Sequence, residues 1–237
     1  MRVLIKFVEP KFLSDFLSGN VFFRKTGYFI EKEKKDGDKV IGDKYEGSHF
    51  RHYDPKKEII AIEVDGKFMP LKVKKGFATQ RYEAAQDFQL TCFVELKLDN
   101  DFISEDNKIF KIKEDVIDRL KKDFAGRKVV LIRNEIAFFD HLVKSAKEMN
   151  LGLYHGPVKY FDPESETPLT EDEFEKNMIA SFFHKRKSYQ NQREYRIITD
   201  RPVKEDSIKI HIDSLKDYIN IFDDLSDITL RKELQIL

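Results

Sequence analysis

The chain has 237 residues, 41% hydrophobic and 36% charged, which is enough to bury a full core in one large domain or two small ones. Lysine plus arginine balances aspartate plus glutamate at 43 each, so net charge gives no argument for a nucleic-acid or membrane partner, and only local patches could. The single cysteine excludes an internal disulfide framework and any zinc site built on several cysteines.

The first seven apolar-rich residues after Met1, RVLIKFV (2–8), read as a strand. Pro10 then opens a helix, with Phe12, Leu13, Phe16 and Leu17 on one face and Gly19 as its stop. NVFFRKTGYFI (20–30) reads as a second strand, and the charge run at 31–39 as a solvated loop or frayed helix. Asp65-Gly66 between two apolar runs (58–73) is a hairpin signal. FQLTCFVEL (88–96) reads as a central strand that buries the Cys92 thiol. The segment 108–124 is amphipathic, with Val116, Ile117 and Leu120 at helical spacing. A buried strand at 128–134 precedes a helix at 136–150, whose inward face carries Phe139, Leu142, Val143 and Ala146. A strand at 151–162 breaks at Gly156-Pro157. Thr170 and Glu173 form a capping box that starts a helix running to 189. Late strands flank Arg201-Pro202, and 214–225 reads as a final amphipathic helix or turn.

Short strands interspersed with few long helices, without repeats or a low-complexity linker, predict an α+β fold in one domain over 1–237. Gly-rich phosphate loops of the GxGxxG and GxxxxGK[ST] kinds are missing. No apolar run approaches about 18 residues, so no membrane span is expected. The N-terminal residues are too charged for a secretory signal, and a cytoplasmic protein is expected.

Candidate functional residues gather in four places. Gln192 and Glu194 lie where a polar loop meets a predicted strand, a rigid position that suits a catalytic acid whose substrate docks against the loop. The cations at 184–187 precede them; a phosphate contact and a solvated helix end are the two readings. Asp43 and Glu46 form either a metal-binding carboxylate pair or a capped surface turn. His49, His52 and Asp54 match no metal signature. Arg24, Thr26 and Tyr28 would share one face of the strand at 20–30, able to hold a ring or to act as an ordinary half-buried strand. His141 sits within an amphipathic helix and reads as structural or exposed.

The residues Gly19-Asn20, Phe22-Phe23-Arg24 and Tyr28-Phe29, then GDKYEG (42–47), FFHK (182–185) and QREYRI (192–197), resemble a bacterial and phage family of the kind associated with abortive infection. The last of these also resembles the catalytic strand of ADP-ribosyltransferase toxins of the DarT and CmdT types. That resemblance implies a mixed, split β-sheet that clamps NAD, without a metal. It implies Glu194 as the catalytic acid and Gln192 as its target-orienting partner. Lys6, Arg24, Thr26, Tyr28 and Phe29 would hold NAD, and Lys185, Arg186 and Tyr189 the target. A nucleic acid, RNA before DNA, would accept the ADP-ribose, and a toxin or phage-defence effector of this kind would have an antitoxin or other neutralising protein. Lys6 stands where the family has a clear Arg or His, and the Ser-Thr-Ser pattern of the arginine-specific branch is missing. Two other readings stay open: a non-catalytic RNA- or protein-binding module, in which Glu194 forms an ion pair with Arg196 or Arg24, and a metal-dependent nuclease using Asp43 and Glu46.

Overall fold

The computed structural model of the chain describes residues 1–232 except 39, 105, 107 and 214. Strand β1 (Arg2–Val8) leads into α1 (Pro10–Leu17), β2 (Asn20–Lys25) and α2 (Thr26–Asp36). β3 (His49–His52), β4 (Ala61–Val64), β5 (Lys67–Pro70) and β6 (Phe77–Gln80) follow. The middle of the chain holds the long β7 (Gln89–Lys97), α3 (Leu98–Asp101), β8 (Phe102–Ser104), β9 (Ile109–Ile112), α4 (Glu114–Asp123), β10 (Lys128–Ile132) and α5 (Glu135–Glu148). The last part holds β11 (Leu153–Pro157), β12 (Lys159–Phe161), α6 (Glu171–Lys176), β13 (His184–Arg186), β14 (Glu194–Thr199), β15 (Ser207–His211), β16 (Ile219–Phe222) and β17 (Thr229–Arg231).

The fold is mixed in α and β content, but its main sheet is antiparallel rather than mixed. Its order is β11-β14-β7-β1-β10-β16, with β2 and β15 attached beside β7. Every neighbouring pair in it runs antiparallel, so no helix closes a β-α-β unit between adjacent strands. Only β12 and β13, in a separate two-stranded sheet, pair in parallel among the described residues.

β7 organises the sheet. One of its edges pairs with β14 from Leu90 to Val94. The other edge is shared: β1 takes Val94 to Lys97, and β2 takes Gln89 and Leu90. The sheet therefore divides at residues 91–93. The Lys6 ammonium fills that gap, donating to the Thr91 hydroxyl and the Cys92 carbonyl at 2.6 Å each. Burial pulls the Lys6 amine down to about 8.

Alternation along β1 sends Leu4 and Val8 to one face, where α1 and α5 pack, and Ile5 to the other, where α4 packs. α5 buries Phe138, Leu142 and Ala146, so Phe138 takes the central place expected for Phe139, which packs at the rim of that core. α4 buries Val116, Ile117 and Leu120 as its spacing predicts. A third cluster, around Phe88, Leu90, Phe182 and Ile198, supports the start of α2 and the chain before β13.

Four sequence expectations give way to longer-range forces. The second strand stops at Lys25, because Thr26 is pulled out of the ladder: its amide donates to the Phe88 carbonyl and its hydroxyl to Ala85 O at 2.5 Å. From there Thr26, Ile30 and Glu33 recur at helical spacing as the buried face of α2, which absorbs most of the charge run. Residues 109–112 form β9 before α4 begins. The helix at 170 has its capping box but ends at Lys176, because Asn177 leaves helical geometry and its side chain caps a new, tighter turn at Met178–Phe183. The segment after residue 214 is a helical turn (Leu215–Asp217) and then β16, which β10 recruits as a sheet edge. No helix among the described residues is long and apolar enough to cross a membrane.

Candidate functional site

Arg193 adopts a left-handed conformation (φ 47°) and starts β14 at Glu194. Glu194, Val94 and Ile5 lie side by side in the register, so their side chains share the α4 face of the sheet. Arg196, two residues on, points the same way. β13 runs beside β12 and brings Lys185 to this face from above.

The result is a buried charge network. The Lys185 ammonium donates to Glu194 Oε1 and, at 2.8 Å, to Gln192 Oε1. Arg196 Nε donates to Glu194 Oε2 at 2.7 Å, and the Cys92 thiol approaches the same oxygen at 3.6 Å. The remaining Arg196 nitrogens clasp Glu46 at 2.5 and 2.9 Å and reach the Phe182 carbonyl. Arg186 joins a second knot, donating to Glu33 at 2.8 Å, Asp43 at 3.0 Å and the Tyr189 hydroxyl at 2.9 Å. Four carboxylates (Glu33, Asp43, Glu46, Glu194) thus face three cations.

Burial alone would raise the Glu194 carboxyl, but Arg196 and Lys185 outweigh it and bring it down to about 2. Burial pushes Glu46 the other way, and Arg196 only partly offsets it. Burial also drives the Cys92 thiol up to about 12, which makes it a poor nucleophile at neutral pH. The backbone amide of Glu194 donates to the Tyr160 hydroxyl at 2.9 Å, and Gln192 Nε2 donates to the Val40 carbonyl at 2.8 Å. Both ends of the Gln-x-Glu motif are therefore fixed.

Several candidate residues sit differently from the sequence expectation. Glu194 is only 8% exposed and fully paired, not on an open strand edge. Lys185 and Arg186 are not a solvated helix end; they leave the helix and are drawn inward by the carboxylates. Asp43 and Glu46 are not a surface pair, since each is buried against an arginine. Thr26, Tyr28 and Phe29 belong to α2 rather than to a strand. Thr26 is wholly buried on backbone partners, and Phe29 packs against the third core cluster. Lys6 neighbours Ile5 in β1 and so lies on the opposite face of the sheet from Glu194. Arg24 pairs with Leu90 on the Glu194 face, four residues along β7, roughly 13 Å at a strand's rise. Its guanidinium stacks 4.5 Å from the exposed Tyr28 ring. Tyr189 donates to Glu33 and lies 4.3 Å under the Lys185 ammonium.

Two partners, Glu33 and Tyr160, were not singled out from the sequence, and Arg196 was named only as an ion-pair partner of Glu194 in the binding-module reading. Arg196 was legible, since it follows Glu194 at the two-residue spacing of one strand face. Glu33 was hidden inside a charge run, and Tyr160 has no local signal.

A cavity of about 150 Å³ lies beside the network, lined by Val40, Asp123, Ser188, Tyr189, Asn191 and Gln192. Burial raises the Asp123 carboxyl there. The larger hollow, about 550 Å³ beside β16 and α1, is separated from β14 by three strands of the sheet. His49 and His52 serve locally: His49 meets the Leu169 carbonyl at 2.8 Å, and the His52 amide donates to Thr167. His141 meets the Tyr218 hydroxyl. No group of three His, Cys, Asp or Glu side chains that could hold a metal occurs among the described residues. Comparison with known proteins adds no relative: no family model fits the chain, and no curated protein or solved structure shows significant similarity to it.

Proposed function

We propose that the chain is an NAD-dependent ADP-ribosyltransferase with an ADP-ribosyltransferase-like split sheet, acting as a toxin or phage-defence effector on a nucleic acid, RNA before DNA. One observation carries the reading. Glu194, the first residue of a sheet strand, is held ionised, and Gln192 from the preceding turn shares its cation, Lys185. When the C1′–N bond of NAD breaks, nicotinamide leaves with the bonding electrons and the ribose becomes an oxocarbenium ion. A fixed carboxylate stabilises that cation and accepts a hydrogen bond from the ribose 2′-hydroxyl. Lys185 must yield Glu194 Oε1 for this, and the diphosphate is the natural receiver of its ammonium. Arg24 and Tyr28, on the same face, offer a cation and a ring for the rest of the dinucleotide. Lys6 and Thr26 do not fit that role from where they lie. The acceptor nucleophile then bonds to C1′ and gives up its proton.

The saturation of Glu194 favours a second reading. Both of its oxygens are occupied by protein cations, as in a structural ion network, and the chain would then be a binding module. Incubation with NAD labelled in its adenylate part, together with separate RNA, DNA and protein pools, distinguishes the two. Label entering the RNA pool supports the transferase. A folded chain that moves label into no pool supports the binding module.

A further inference from the structure

Asp123 stands where stability alone disfavours it. It is the last residue of α4, so its carboxylate meets the negative end of the helix dipole, where cations are preferred. It is half-buried, yet it makes no hydrogen bond or ion pair with any described residue. The carboxylate lines the cavity of about 150 Å³ beside the charge network, together with Ser188 and Asn191. Those two side chains are likewise without hydrogen-bond partners among the described residues. Val40 and Tyr189 add apolar surface to the cavity. Tyr189 and Gln192, which also line it, touch the Lys185 ammonium and so tie the cavity to Glu194. A space of this size takes one aromatic ring. Ser188 and Asn191 are exposed, so the rest of a larger ligand can leave on their side.

We propose that this cavity receives a guanine base, with Asp123 accepting its two adjacent N–H donors. A carboxylate has only acceptors. Guanine is the base whose Watson–Crick edge sets two donors side by side, N1–H and the 2-amino group. Adenine and cytosine each place a ring acceptor next to their amino group, and the carboxylate repels it. Uracil offers one ring N–H between two carbonyls. Ser188 and Asn191 supply donors for the guanine O6 and N7. Lys122 and Lys187, next in the chain to Asp123 and Ser188, are exposed and form no ion pair, so they are available to phosphate. The base can belong to a single strand or to a free nucleotide. The assignment does not rest on NAD chemistry: a transferase would hold its target here, and a binding module would read its ligand here.

Fluorescence anisotropy without NAD tests this. The probes are labelled oligouridine strands with one central guanine, inosine, adenine or cytosine, and an all-uridine strand; GMP and AMP are the competitors. The guanine strand should bind about tenfold or more tighter than the adenine, cytosine and all-uridine strands. Inosine lacks the 2-amino group and should lose most of that preference. Asp123→Asn turns one acceptor into a donor and should abolish the preference. Its thermal unfolding should match or exceed the parent's, because a charge leaves the unfavourable end of α4. Lys122→Ala with Lys187→Ala should weaken all strands alike. GMP, not AMP, should displace the guanine strand; equal affinity assigns the site to a free nucleotide, and weaker GMP assigns it to a strand. Equal affinity of the parent for all five strands overturns the inference. So does binding of neither strands nor GMP, or a guanine preference that survives Asp123→Asn. Because NAD is left out, failure to release nicotinamide and failure to select guanine are separate results.

Discussion

Replacing Arg196 with methionine should be among the most damaging single changes in this chain. Arg196 is 2% exposed and serves Glu46 twice, Glu194 once and the Phe182 carbonyl. Glu194 keeps Lys185 when Arg196 goes, but Glu46 has no other cation within ion-pair distance among the described residues. Its carboxyl, already raised by burial, must then be buried unpaired or take up a proton. Removing one partner of a buried ion pair costs about 3–5 kcal/mol. Urea titration followed by far-ultraviolet circular dichroism should show a midpoint shift of that size with an unchanged slope. Arg196→Met combined with Glu46→Met removes both charges and should recover most of the loss, to within about 2 kcal/mol of the parent. A cost below about 1 kcal/mol for Arg196→Met alone would refute the reasoning, because Arg196 would then not be neutralising a buried acid.

Three further outcomes follow from the same geometry. The Glu194 carboxyl lies at about 2 against an ordinary 4.5, so its contribution to stability is full above 4.5 and is lost as pH falls toward 2. The loss is on the order of 3 kcal/mol, and the acid limb of a stability–pH curve should be shallower for Glu194→Gln. The Lys6 amine is lowered from 10.5 to about 8, so the unfolded chain binds the extra proton in that window. Stability relative to Lys6→Met should therefore rise between pH 8 and 10.5, as read by paired denaturant titrations. Gly47 has φ +67°, and a Cβ there would lie 2.5 Å from the Phe182 ring, so Gly47→Ala should cost about 2–4 kcal/mol in thermal or urea unfolding.

Much of the frame was readable from local pattern. β1, α1, β7, α4, β10 and α5 appear within the stretches where the sequence pattern predicts them: α4 and α5 each bury one regular face, while β7 and β10 are continuous apolar runs buried on both. The Asp65-Gly66 turn and the Thr170 capping box are equally local, and both are present. The failures are non-local. The aromatic run at 20–30 has strand composition, yet Phe88 and Ala85 claim Thr26 and turn the chain into a helix. The stretch at 182–189 looks helical and solvated, yet Glu194 draws Lys185 inward and Glu33 and Asp43 draw Arg186. The Gln-x-Glu motif lies within the buried charge network. One of the two cations that saturate Glu194, Arg196, stands two residues on in the same strand; the other, Lys185, comes from β13 and has no local signal.

Release of nicotinamide from NAD is the most direct test of the central claim, measured for the parent chain, Glu194→Gln and Glu194→Asp. Glu194→Gln loses charge against two buried cations, so its folding is checked in parallel by thermal unfolding. Glu194→Asp keeps the charge and withdraws it. The account predicts release by the parent and a fall of about 100-fold or more in both variants while they remain folded. Release that is equal in folded Glu194→Gln, or missing from the folded parent, would contradict it.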